Sequence, residues 1–373
     1  MILEEDDRRN RDRRIPRIAV KKYNNSPFEY LYHSLNDQAL LNATGHNHRT
    51  FDLLLKKFSP YYKYYTFEKG TDLIRKKICY PDGRPKGAKR DMSPVGCLGL
   101  VLMWYRTTGA CTRNLALHFG QTSSPMYLWL KFGRRILLKS LINDDDAKLE
   151  VPNEEKLTTF TEAIGNKYPE LPNVWGAMDG LKLNVQESGK VYQQNQYYNG
   201  WTHGHYVNSL FVFGPDGKIY ICVLNAPGTF HDSTIADYHV YDSLEEIYLR
   251  TGCKVVVDSA FGGKNRAYLE KSSQSDPLDA NCEVILKNRA ATSIRQLSEW
   301  GMRMIQSSFP RIADTLVFEN TGDRRVVMRL MIHLYNFQCA QVGINQILNS
   351  FMTTDSGYFD NDFISRDANY IID

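Results

Sequence analysis

No stretch of this chain approaches the ~18 consecutive apolar residues that a membrane-spanning helix needs. The best candidate, "VGCLGLVLMWY" at 95–105, is too short and reads as a buried helix. There is also no C-x-x-C pair. The seven cysteines (Cys79, Cys97, Cys111, Cys222, Cys253, Cys282 and Cys339) are scattered and odd in number. A disulfide framework or a four-cysteine zinc site is therefore not expected, and free thiols in a reducing compartment are the simpler reading. The polar, charged N-terminus has no apolar signal core, so no secretory leader is expected. No internal repeat is apparent. What remains is an ordinary globular composition, 42% hydrophobic and 24% charged over 373 residues, long enough for two domains with sizeable cores.

The net charge of +4 hides an asymmetry. Residues 1–150 carry 27 Lys and Arg against 16 Asp and Glu, whereas the remaining 223 carry 19 against 26. Residues 56–90 alone hold 11 basic and 3 acidic side chains. One half is suited to a polyanion, since basic segments that neutralise phosphates supply salt-dependent affinity. A solvated basic face on a helical domain would give the same composition.

Residues 1–27 read as a disordered basic arm, with "RRNRDRR" at 8–14 as a nuclear-import or phosphate-binding run. From 28 to about 142 the pattern is helical. "TFDLLLKKFSPYY" gives an amphipathic segment stopped by Pro60, and Ser93-Pro94 caps another that ends at Gly109. A short helix over Thr112–Phe119, a turn at Gly120 and a second helix opened by Ser123-Ser124-Pro125 make a helix-turn-helix pattern. Lys131, Arg134 and Arg135 on the second helix are candidate DNA contacts; a plain helical hairpin is the alternative. The acidic stretch 143–156 reads as a linker.

From about 170 the texture changes to strands. Residues 174–185 alternate, and "HYVNSLFVF" and "KIYICVLN" flank Pro215-Asp216-Gly217, a hairpin turn. Residues 233–250 have helical spacing, 253–258 is a short apolar strand, 264–272 a short helix and 282–287 another strand. Helices follow over 290–309 and from Arg324 to about Phe351. Three meandering strands followed by alternating helices and strands imply an α/β fold with a mixed sheet covered by helices on both faces.

Four acids stand at informative places. Asp179, in "NVWGAMDGLKLNVQ", is either the tip of an Asp-Gly hairpin or a carboxylate held in a strand. Asp258 ends "KVVVD", where open α/β sheets bind ligands, although it could equally begin a turn. Asp232 precedes a helix and could cap it, with His231 beside it as a ligand or orienter. Glu299 shares a helix face with Arg295, Arg303 and Gln306, as an exposed ion-pair ladder or as the wall of a cleft for an anion. His203 and His205 make an H-x-H, but a zinc site lacks a convincing third ligand. Carboxylates converging from separate elements suit hard ions such as Mg²⁺ or Mn²⁺, and two such ions ~3.5–4 Å apart can cleave a phosphodiester.

These motifs resemble the PIF/Harbinger group of transposases, which carry a DDE nuclease domain of RNase H-like fold. The matching segments are "AMDG" at 177–180, "NAPGTFHDS" at 225–233, "VVVDSAFGG" at 255–263 and "RQLSEWGMRMIQSSFPRI" at 295–312. The resemblance implies a helical N-terminal domain (28–142), a linker and lead-in helix (143–170), an RNase H-like nuclease domain (171–352) and an acidic tail (353–373). It makes Asp179, Asp258 and Glu299 catalytic, and with Asp232 the ligands of two Mg²⁺ or Mn²⁺ ions. Lys182, Arg295 and Arg303 would help to hold phosphate. The implied activity is cleavage and strand transfer on double-stranded DNA, in the nucleus. A Myb-like DNA-binding partner protein and a homodimer are implied with it. Leu181-Lys182 follow the Asp-Gly where that family commonly has Thr-His or Cys-His. This departure motivates the alternative of a domesticated DNA- or protein-binding factor without turnover.

Overall fold

The structure is a computed structural model of the chain. It describes residues 18, 20–69, 71, 73–87, 90–108, 112–187, 189, 191–261, 266–271, 282–316, 321–342 and 345–352. Most of the expected basic arm, and all of the expected acidic tail, lie outside these residues.

Side-chain caps start the first helices. Helices α1 (Pro27–His33), α2 (Asp37–Thr44) and α3 (His48–Tyr64) each follow a residue whose side-chain oxygen accepts a backbone N–H of the first turn. Those residues are Ser26, Asn36 and Asn47, and each satisfies a donor that has no partner within its helix. Helix α3 runs through Pro60, which was expected to stop it. Proline removes one intrahelical bond, but Phe51, Leu54, Phe58 and Tyr62 stay buried on one face, and that burial outweighs the local defect. A two-stranded antiparallel ribbon follows, β1 (Tyr65–Phe67) with β2 (Ile74–Lys76). Helix α4 (Pro94–Arg106) begins at the expected Ser93-Pro94 cap, with Ser93 Oγ accepting the Gly96 N–H at 3.0 Å. Helices α5 (Thr112–His118) and α6 (Ser123–Leu141) enclose the expected turn, where Gly120 has φ 59°.

Helix α6 does not present its cations to a ligand, contrary to the expected DNA contacts. Lys131 and Arg134 are buried, and Asp323 accepts from Arg135 at 2.7 Å and pairs with Lys131 at 3.3 Å. The Arg134 guanidinium stacks over Trp104 at 4.7 Å. A carboxylate 188 residues away in sequence thus draws this face of the helix inward.

Helix α7 (Glu154–Lys167) leads into the sheet, capped by Asn153. The sheet comprises β3 (Val174–Asn184), the short β4 (Tyr198–Asn199) after helix α8 (Val191–Tyr197), β5 (Gly204–Phe213) and β6 (Ile219–Pro227), then β7 (Lys254–Val257) and β8 (Leu269–Glu270). Its order is β4-β5-β3-β7-β8, with β6 paired to β5. The pairs β3–β5 and β5–β6 are antiparallel, whereas β3–β7 and β7–β8 are parallel, so the expected mixed sheet is present.

Its last strand differs from expectation. Residues 282–287 begin the long helix α11 (Cys282–Ser308), and the pairing next to β7 falls to Leu269–Glu270, inside the segment read as a short helix. A six-residue segment with three consecutive aliphatic residues carries no period that separates strand from helix. The single helix expected over 233–250 is two, α9 (Asp232–Ala236) and α10 (Val240–Thr251). Helices α12 (Pro310–Ala313), α13 (Thr321–Val342) and α14 (Gln346–Phe351) complete the chain. Among the described residues no helix is long and apolar enough to cross a membrane.

Two apolar cores cover the sheet faces. One holds Ala177, Leu181 and Leu183 of β3 and Val256 of β7 with Ile294 and Leu297 of α11, and continues through α13 into α3, α4 and α6. The other holds Met178, Leu210, Val255 and Val257 with Ile235, Val240 and Leu244. The alternation along β3 decides where its functional side chains point.

Candidate active site

Asp179 lies in mid-strand. Its Cα partner on β5 is Phe211, and Met178 pairs with Val257 of β7. The hairpin alternative for Asp179 is thereby removed. Strand side chains alternate, so Asp179 takes the face of Ala177 and Leu181, toward α11. By the same alternation Asp258, one residue past β7, takes the face of Val256. Two carboxylates from adjacent parallel strands therefore emerge beneath one helix. That helix carries Arg295 and Glu299.

Arg295 connects the set. Its guanidinium lies 3.4 Å from Asp258 Oδ1 and 3.2 Å from Glu299 Oε1. The i,i+4 pair expected of an exposed ladder is present, but it looks onto the strand ends. Arg303, one turn further, is exposed. Asp258 also accepts from the Ser259 N–H at 2.6 Å and the Ser259 hydroxyl at 3.2 Å. Sequence reasoning gave Ser259 no role; the Asp-Ser pair after an apolar strand was the available signal.

Asp232 lies against Gly180, on the sheet face of Met178 and Ile235, opposite to the one that Asp179 takes. A Cβ at Gly180 would lie 2.8 Å from Asp232 Oδ2 and 2.9 Å from its Cγ, closer than real Cβ contacts come. The glycine of the Asp-Gly pair therefore makes room for a second carboxylate rather than a turn. The expected capping role of Asp232 is not what its placement shows. The N-cap is His231, which makes no side-chain cap bond, and Asp232 is the first residue of α9. Lys182, exposed two residues beyond Gly180, acts electrostatically on Asp232.

These carboxylates feel one another. Burial pushes the Asp179 carboxyl up to about 6; the charges of Asp258 and Asp232 add to this, while the Gly180 N–H at 2.7 Å and Arg295 oppose it. Burial also raises Asp232, again with Asp258 adding, while Lys182 and His231 act against it. Like charges held in a half-buried pocket favour a bound cation, and all four acids offer the hard oxygen donors that Mg²⁺ and Mn²⁺ take. In atom type and charge the residues fit such an ion. Their spacing is more open: among the described residues no three His, Cys, Asp or Glu side chains gather closely enough to hold a metal. The same holds for His203 and His205. His203 Nδ1 lies 3.3 Å from the Tyr198 hydroxyl, and His205 Nδ1 lies 3.8 Å from Glu187.

Neither the curated proteins nor the solved structures gave a match. Residues 178–336, which begin one position before Asp179 and include Asp232, Asp258 and Glu299, match the family model described as DDE superfamily endonuclease.

Proposed function

We propose that this protein is a metal-dependent DNA endonuclease of the transposase type, with Asp179, Asp258 and Glu299 as its catalytic acids and Asp232 completing the ligand set. The observation that carries this reading is the convergence of Asp179 and Asp258 from adjacent parallel strands beneath the helix of Glu299, inside the segment that matches the endonuclease model. The motif order further supports a PIF/Harbinger-like subtype on an RNase H-like sheet, and with it a nuclear location, a Myb-like partner protein and a homodimer.

Two divalent ions, when bound, would activate the attacking water or 3′-hydroxyl and stabilise the leaving oxygen. This chain's own residues do the rest. Burial, with the charges of Asp258 and Asp232 added, holds the Asp179 carboxyl up at about 6, so a cation bound there would favour its charged form. Ser259 fixes the Asp258 carboxylate. Arg295 holds Asp258 and Glu299 together and offers its charge to a phosphate that comes between them.

The test is cleavage of plasmid and linear duplex DNA with Mg²⁺ or Mn²⁺. Wild type is expected to nick or cut, and Asp258→Asn to do so at least ~100-fold more slowly. Equal cutting by the two, or none by the wild type with either ion, defeats the proposal. Gly180→Ala is a milder probe. It displaces Asp232, so cleavage should fall roughly ten- to a hundred-fold, while urea unfolding changes little. Unaltered cleavage would remove Asp232 from the site.

A second reading, a binding factor without turnover, has its own support: Asp258 and Glu299 already share Arg295, and Asp232 has Lys182 near it. Titration calorimetry with Mn²⁺ separates the two, since a retired scaffold would release no heat attributable to Asp179.

A further inference from the structure

Six of the eleven basic residues of 56–90 (Lys69, Arg75, Lys76, Lys77, Arg84 and Lys86) lie on one stretch of chain. Strands β1 and β2 form a narrow ribbon in which Tyr65 pairs with Lys76 and Phe67 with Ile74. The chain then folds back a second time: Cys79 bridges Pro85, Tyr80 N–H donates to Arg84 O, and Lys86 N–H donates to Ile78 O, each backbone bond 2.8 Å long. Beside this double hairpin lies an open cavity of about 550 Å³, lined by Arg75, Lys77, Lys86, Arg90, Asp91 and Trp129 among others. Of the described residues that line it, Asp91 is the one acid. Arg75, Lys76 and Lys86 are exposed.

The base of the cavity is built rather than incidental. The Arg90 guanidinium stacks on Tyr62 at 4.4 Å and Phe132 at 4.6 Å, and donates to the carbonyls of Tyr62 and Tyr65. Burial pulls Lys77 below its usual range and Arg90 adds to the effect, so these cations lie in each other's field. Behind the ribbon stands α6, with Phe132 edge-on to Phe67 at 5.5 Å. The helix expected to read DNA carries the ribbon instead.

We propose that the ribbon of Tyr65–Phe67 and Ile74–Lys76 with its fold-back over 77–86, and Arg90 behind it, is the surface that grips duplex DNA, its cations seated on backbone phosphates. The proposal rests on the nuclease reading for the identity of the polyanion. The major groove of B-DNA is ~12 Å wide and admits a two-stranded ribbon. Cations in excess supply phosphate affinity without sequence choice; Arg84 is paired with Asp82 at 2.7 Å, so the grip falls to Arg75, Lys76, Lys77 and Lys86.

The test is fluorescence anisotropy of the full chain with a labelled duplex, in chelator so that nothing is cut, over a salt series. Wild type should bind the duplex, more weakly as salt rises. The triple variant Arg75→Gln, Lys77→Gln, Lys86→Gln should bind more than about ten-fold more weakly near 0.1 M salt. Its log–log salt slope should flatten by about 2–3, roughly 0.9 per lost phosphate contact. A double variant elsewhere, Lys167→Gln with Arg250→Gln, should change neither quantity, and circular dichroism should show all variants folded. Wild-type slope and affinity in the triple variant would overturn the proposal. So would failure of the wild type to bind duplex, or equal affinity for poly-glutamate. Binding without cleavage leaves the ribbon standing and removes the nuclease, whereas cleavage indifferent to the triple variant does the reverse.

Discussion

Asp323→Ala is expected to destabilise the protein by about 3–5 kcal/mol, the cost of removing one partner from a buried ion pair. Its carboxylate bridges Arg135 at 2.7 Å and Lys131 at 3.3 Å, and all three side chains are largely out of water. Burial alone would raise the Asp323 carboxyl, yet the hydrogen bond and charge of Arg135, with Lys131 and Arg134 behind it, hold it below the usual range. Removing it leaves cations facing one another with little water to screen them. Urea unfolding measures the loss, and a change under about 1 kcal/mol would show that the network contributes little. Removing the paired groups together, as Lys131→Met with Arg135→Met and Asp323→Leu, should cost less, because two of the three cations go with the carboxylate and Arg134 keeps its stack on Trp104.

The second large effect has the opposite sign. Asp179→Asn should stabilise the metal-free protein at pH 7.5 by on the order of 2 kcal/mol, while abolishing cleavage. A carboxyl raised from 3.8 to about 6 in the folded state binds its proton more tightly there than in the unfolded chain. The stability it contributes is complete below about pH 4 and is lost as pH rises through about 6. Above that, the folded protein holds a carboxylate it disfavours, and asparagine removes the penalty. Thermal melts in chelator should therefore show the variant ahead at pH 7.5 and level with wild type at pH 4. Added Mn²⁺ should raise the wild-type melting temperature and leave the variant nearly unmoved, since only a folded state with the acid gains from the ion. A variant that melts below wild type at pH 7.5 would show that Asp179 is not held against its charge.

Several of these features were legible in the residues alone. The strands around Asp179 and before Asp258 declare themselves by alternation and by a short valine run. The cap at Ser93 sits where a side-chain oxygen precedes a helical pattern. Other features depend on contacts that no local window contains. Lys131, Arg134 and Arg135 on a helix look like a nucleic-acid surface until Asp323 arrives from far along the chain. Gly180 looks like a turn residue until Asp232 needs the space beside it. Arg295 reads as one half of an i,i+4 pair, and nothing in its helix announces Asp258 as a second partner. Residues 282–287 were misread because a run that short suits either element, and the helix behind it decided the matter.

The first apolar core does not stop at the acidic stretch between the two halves of the chain. Val327, Met328, Leu330, Met331, Leu334 and Tyr335 of α13 lie in the same cluster as Phe51, Leu100, Leu130 and Ile136. Tyr105 of α4 donates its hydroxyl to the Val327 carbonyl at 2.8 Å. The carboxylate-bearing part is therefore not a portable module. A fragment begun near residue 150 would open a long greasy flank to solvent, and it would be recovered as aggregate rather than as a minimal enzyme.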